Sequence, residues 1–174
     1  MIILKSVKDI DININHNGVF FIAEAGINHN GEMSKAKELI DLAKRAGADA
    51  VKFQKRTINR ILTKEGLEKE YNTPNSFGKN YGKHKEFLEL SFDQFRELKS
   101  YADEKGILFA ASGWDEESVD FLDSLDVPFF KMASADLTNF PLLKHTAKKM
   151  KPMLSNIIII PINASINLEL LNKR

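Results

Sequence analysis

Residues 46–54 read AlaGlyAlaAspAlaValLysPheGln, a glycine able to end a helix followed at once by a short apolar run that closes on polar side chains. The run is too short for a helix and carries a β-branched and an aromatic residue, so it reads as a buried strand. The pattern recurs. ValPhePheIleAlaGlu (19–24), IleLeuPheAlaAlaSer (107–112), ProPhePheLysMetAlaSer (128–134) and LysProMetLeuSer (151–155) give, with 49–54, about five candidate strands. Helical signals fill most of the gaps. Ala36, Leu39, Ile40, Ala43 and Ala46 share one helix face, and Gly47 can end it. Ser91 and Gln94 form a capping box for a helix through Phe95, Leu98 and Ala102. Asp115 can cap a helix bearing Val119 and Leu122, and Thr138 or Asn139 one bearing Leu142, Leu143, Thr146 and Ala147.

Strict alternation of strand and helix predicts a parallel sheet flanked by helices, either an open doubly wound sheet or a closed (β/α) barrel. In both, ligands bind at the C-terminal ends of the strands, so the polar residues closing each apolar run come first. Upstream, alternation from Ile10 to Ala25 around Asn17-Gly18 predicts an N-terminal β-hairpin. The stretch from Lys55 to Leu90 is far longer than an ordinary βα loop and carries Asn72, Pro74 and Asn75, which predicts a substrate lid or a mobile surface loop.

A chain of 174 residues with 43% hydrophobic content is sized for one domain with a core. Lys and Arg total 25 against 24 acidic residues, so no global field favours nucleic acid or an anionic membrane. The absence of cysteine excludes disulfides and thiolate metal sites and fits a reducing compartment, so the expected location is cytoplasmic. Neither a signal core nor a spanning apolar stretch is present.

Lys52 and Lys131 each interrupt an apolar strand, where a lysine is rarely buried without an anionic partner. Projecting from neighbouring parallel strands into one mouth, they would converge on a phosphate or carboxylate. The plainer reading is two stems snorkelling to solvent. Ser134, just beyond Lys131, adds a hydroxyl to an anion cradle. Glu24 ends the first strand and Asp136 follows the fourth, so both carboxylates are candidates for acid–base work or sugar binding, with a helix cap or a salt bridge to a lysine as the alternative for each, above all for Asp136 beside a helix start. His16, His29, His84 and His145 lack short metal-ligand spacing, and Gly26, Gly31 and Gly47 make no nucleotide fingerprint.

In order and spacing, IleAlaGluAlaGlyIleAsnHisAsnGly (22–31), residues 46–54, LeuGluLeuSer (88–91), GlyIleLeuPheAlaAlaSerGly (106–113), ValProPhePheLysMetAlaSerAlaAsp (127–136) and ThrAsnPheProLeuLeu (138–143) resemble the sialic acid synthase family. AlaSerGlyTrpAspGlu (111–116) and GlyLysAsnTyrGlyLysHisLys (78–85) resemble its animal branch, which prefers a 6-phosphorylated sugar. The resemblance implies condensation of phosphoenolpyruvate with N-acetylmannosamine or its 6-phosphate, giving N-acetylneuraminate or its 9-phosphate. By resemblance Lys52, Lys131, Ser134 and Ser155 hold phosphoenolpyruvate, and Glu24, Gln54 and Asp136 face the sugar and the reacting carbons. Ala135 stands where the family has glycine. A divalent metal, manganese or magnesium, is also implied, but its two histidine ligands belong to later strands than those matched.

The resemblance implies a TIM-type barrel, a small antifreeze-like domain and a swapped homodimer. Against the eight strands and about 250 residues of a closed barrel, the expectation is an incomplete (β/α) barrel over 19–153, a hairpin and first strand over 1–25, and a divergent tail over 154–174, with the antifreeze-like domain absent. The apolar run Ile157–Ile160 beside an open strand edge predicts aggregation or dependence on another chain. Such a fragment is expected to be inactive alone. The competing readings are a non-catalytic truncated isoform that pairs with full-length synthase, and an unrelated flavodoxin-like module, which lacks its phosphate loop here.

Overall fold

The structure, a computed structural model, describes residues 20–155. The hairpin expected around Asn17-Gly18 and the run Ile157–Ile160 lie outside them. In chain order the described elements are β1 (Ile22–Gly26), α1 (Met33–Arg45), β2 (Ala50–Lys55), α2 (Ile58–Ile61), α3 (Lys64–Glu68), α4 (Tyr81–Leu88), α5 (Phe92–Glu104), β3 (Leu108–Gly113), α6 (Glu116–Ser124), β4 (Phe130–Met132), α7 (Phe140–Ala147) and β5 (Met153–Ser155). None of these helices is long and apolar enough to cross a membrane.

Every ladder is parallel, as the alternation requires. β1, β2 and β3 form one sheet in that order, and β4 pairs with β5. Ala50 lies opposite Leu108, Lys52 opposite Ala110, Gln54 opposite Ser112, and Glu24 opposite Lys52. Because side chains alternate along a strand, these even-numbered residues share one face.

The other face carries the main core. Val51, Phe53, Phe109, Phe130 and Met132 pack under Ile40, Phe95, Leu98 and Leu122 from the helices. Phe53 stacks on Phe109 with ring centroids 5.5 Å apart. The even face holds a smaller apolar floor of Ala50, Ala110 and Phe129, with Ile22, Leu108 and Leu154 packed on it. Moving up the strands, that face changes from this floor to Glu24, Lys52 and Lys131, then to Gln54 and Ser112. Its polarity therefore rises toward the C-terminal strand ends.

Side chains cap the starts of all these helices except α1 and α2. Ser91 and Gln94 form the reciprocal capping box of α5, Asp115 accepts from the Ser118 amide at the start of α6, and Asn139 caps α7. The first strand begins at Ile22 instead of Val19, and the long stretch after β2 contains α2, α3 and α4. Thr63 and Asn80 cap α3 and α4. Tyr71, Tyr81 and His84 pack ring against ring to hold this excursion together.

Candidate functional site

Glu24, Lys52 and Lys131 meet at mid-height of the polar face. Lys52, 7% exposed, extends its ammonium to within 2.6 Å of Glu24 Oε2 and 3.4 Å of Ser112 Oγ. Lys131 donates to the Met132 carbonyl at 2.9 Å. Burial lowers the Lys131 pKa, the Lys52 charge lowers it further, and Glu24 opposes the shift. A buried Lys52 paired with Glu24 and a half-buried Lys131 thus lie close enough to repel, and a bound anion would relieve that repulsion. Against the expectation of neighbouring strands for the two lysines, β2 and β4 are not neighbours: β3 lies between them and packs beside β4. Alternate strands feed one layer of a (β/α) interior, so the convergence persists.

Gln54 joins from two residues up β2. The chain bulges after Glu24, and Gly26 adopts φ 55° there. A Cβ on Gly26 would come 3.1 Å from Glu24 Oε1 and 3.6 Å from Gln54 Nε2, so the bare backbone lets both polar groups close on the same spot. Ser134 and Asp136 bound a 3-10 turn directly after β4. Ala135 in that turn is not among the residues of positive φ, so it meets no left-handed penalty in place of glycine. Asp136 is not the helix cap, since Asn139 takes that position. Its Oδ1 accepts from Asn139 Nδ2 at 3.2 Å, while Oδ2 is buried without a protein partner. Ser155 ends β5, exposed and opposite Met132, one residue out of phase with Leu154 and Lys131.

Ser112 escaped the sequence reading, although it closes the run IleLeuPheAlaAlaSer as Glu24 closes its own. A larger omission lies at the top of β2. Glu89 Oε1 accepts from Lys55 Nζ at 2.8 Å and from the Arg56 amide at 3.0 Å, and Oε2 accepts from Arg56 Nε at 3.0 Å. This cluster ties the two ends of the excursion together. A Cβ on Gly31 would strike the Phe87 carbonyl, so the β1–α1 loop also packs directly on α4.

His29 is 1% exposed in that loop, and its Nδ1 accepts from the Gly31 amide at 3.0 Å. Burial, helped by the Arg56 charge, lowers its pKa from 6.5 to about 4. The unfolded chain therefore binds the proton more tightly. This contribution to stability is complete above pH 6.5 and is lost as pH falls from 6.5 toward 4. Between pH 7 and pH 5 the loss should be about 1–2 kcal/mol after solvent screening. Denaturant titration should show this slope in the wild type and a flatter one in His29→Gln. Equal slopes would contradict a buried neutral His29.

Elsewhere, a concavity of about 490 Å³ opens over the starts of α6 and α7, lined by Arg60, Trp114, Asp115, Glu116, Glu117 and Asp120 among others. Four carboxylates against one guanidinium suit an anionic ligand poorly, and neither Lys52 nor Lys131 lines it. Among the described residues no group of three or more His, Cys, Asp or Glu side chains is placed to hold a metal ion.

Residues 39–157 match the NeuB family. Over 134 residues the chain is 52% identical to N-acetylneuraminate-9-phosphate synthase of Homo sapiens, covering 77% of this chain and 37% of that protein. It is 44% identical over 138 residues to N,N'-diacetyllegionaminic acid synthase of Legionella pneumophila, covering 78% and 38%. The chain thus spans little more than a third of these relatives. Among solved structures, the N-acetylneuraminic acid synthetase of Leptospira borgpetersenii in complex with citrate superposes with a TM-score of 0.61 at 28% identity, over 84% of this chain and 57% of that one.

Proposed function

The chain belongs to the NeuB family, and from that premise we propose that its strands form the front of a (β/α) barrel that condenses phosphoenolpyruvate with N-acetylmannosamine or its 6-phosphate. The observation that carries this reading is the proximity of Lys52, paired with Glu24, to Lys131, which has no carboxylate within ion-pair distance among the described residues, an excess of positive charge on the polar face. A small polyanion that is part phosphate and part carboxylate complements it.

In this reading Lys52 and Lys131 hold the phosphate and carboxylate, with hydroxyls from Ser112 and Ser134 completing the cradle, while Ser155, out of phase with Lys131, stands outside it. Glu24, Gln54 and Asp136 face the sugar. Carbon 3 of phosphoenolpyruvate bonds to the sugar's aldehyde carbon, water adds at carbon 2, and phosphate leaves as its bond to carbon 2 breaks. The two ammonium groups neutralise the departing phosphate. Glu24 and Asp136 are the carboxylates able to exchange protons with the alkoxide and the attacking water. The described residues lack a donor set for the divalent ion that the family resemblance implies. They supply the anion end of the site, and the complete reaction draws on further barrel strands. The same reading makes the working assembly a cytoplasmic homodimer.

Calorimetric titration of the chain with phosphoenolpyruvate should show saturable binding, with pyruvate weaker by about 10-fold or more because it lacks the phosphate. Affinity should fall as pH rises through the lowered pKa of Lys131, since the neutral amine no longer attracts the anion. Absence of saturable binding, or equal affinity for pyruvate, would overturn the proposal.

A further inference from the structure

We propose that the outer edge of the Arg56 guanidinium recognises the phosphate of a phosphorylated acceptor sugar, an inference that rests on the family reading of the site. Arg56 directly follows β2, four residues beyond Lys52. At about 3.3 Å per residue it stands roughly 13 Å further toward the rim. Its side chain is almost fully buried, at 4% exposure. Nε is satisfied by Glu89, yet Nη2 is buried without a partner, and neither terminal nitrogen donates to a protein acceptor among the described residues. A buried guanidinium edge left open in this way favours an acceptor from outside.

Glu89 takes Nε, and two imidazoles lie within electrostatic reach of the same guanidinium. Arg56 acts electrostatically on both His29 and His84, whose pKa values are lowered mainly by burial. His29 Nδ1 accepts from the Gly31 amide, and His84 Nδ1 accepts from the Phe77 amide at 3.2 Å. Each neutral ring therefore carries its proton on Nε2, where it can only donate. The open guanidinium edge calls for a group with acceptor oxygens, and its fork fits a phosphate bidentately. The human relative is named for a product phosphorylated at position 9. That end of the sugar is remote from the new carbon–carbon bond, as Arg56 is remote from Lys52. Entry requires the excursion to shift. Its helices α2 and α3 pack on α4.

The test compares the wild-type chain, Arg56→Ala and Arg56→Lys by calorimetric titration with N-acetylmannosamine 6-phosphate, N-acetylmannosamine and phosphoenolpyruvate. Arg56→Ala leaves the Lys55–Glu89 pair in place, and Arg56→Lys keeps the charge against Glu89 should the alanine variant fail to fold. The wild type should prefer the phosphorylated sugar by about 10-fold or more. That preference should vanish in Arg56→Ala and shrink in Arg56→Lys, with phosphoenolpyruvate affinity unchanged. No preference in the wild type, or a preference that survives both substitutions, would overturn the role of Arg56. Failure of the wild type to bind phosphoenolpyruvate would instead overturn the site reading beneath it.

Discussion

Replacing Glu89 with alanine is expected to destabilise the fold by about 3–5 kcal/mol, because it leaves two buried cations without their counter-charge. Lys55 and Arg56 have side chains 4% exposed, and the Glu89 carboxylate, 11% exposed, bridges them. Lys55 would keep the Leu90 carbonyl at 3.0 Å and the rings of Phe92 and Phe95 at 4.9 and 5.4 Å. A carbonyl and two aromatic faces compensate only part of a buried charge. Breaking the exposed Lys35–Glu32 pair by Glu32→Ala should change stability by less than about 1 kcal/mol. Denaturant unfolding of the two variants checks both values. A loss below about 1 kcal/mol for Glu89→Ala would mean that water reaches the cluster. The single tryptophan, Trp114, reports on the same region, since its amide donates to the Lys55 carbonyl at 3.1 Å.

Lys131→Met should move binding and stability in opposite directions. Removing a charge that can hydrogen-bond the bound anion weakens phosphoenolpyruvate affinity by about 10- to 100-fold. Because burial and the nearby Lys52 both disfavour the charged amine, its removal also relieves strain, and thermal unfolding should shift upward or stay level. Lys52→Met should cost comparable affinity without the gain in stability, since Lys52 has Glu24 at 2.6 Å to balance it. Calorimetry and thermal melts on both variants separate these effects. Unchanged affinity in Lys131→Met would remove that lysine from the site.

The strands and caps of this chain were legible because each is decided within a few residues. ValLysPheGln is apolar enough to be buried on both faces, and Ser91 with Gln94 closes its own hydrogen-bond loop. Position along a strand also pointed to Lys52, Lys131 and Glu24. Less visible was anything settled over long separations. Glu89 meets Arg56 across 33 residues of sequence, and no local pattern marks a buried glutamate between two leucines as the counter-ion of a distant strand. The helices of the excursion are four, five and eight residues long, too short for a clear period, and are held by aromatic contacts that propensity does not register. The position of β3 between the lysine-bearing strands follows from sheet order, which alternation leaves open.

Central to the proposed function is phosphoenolpyruvate binding between Lys52 and Lys131. A crystal structure of the chain grown with phosphoenolpyruvate tests this directly. The predicted result is phosphate and carboxylate oxygens within hydrogen-bond distance of both ammonium groups, with Ser112 or Ser134 as a further partner. Ligand density that contacts neither lysine, or that sits in the groove beside Trp114 and Arg60, would contradict it.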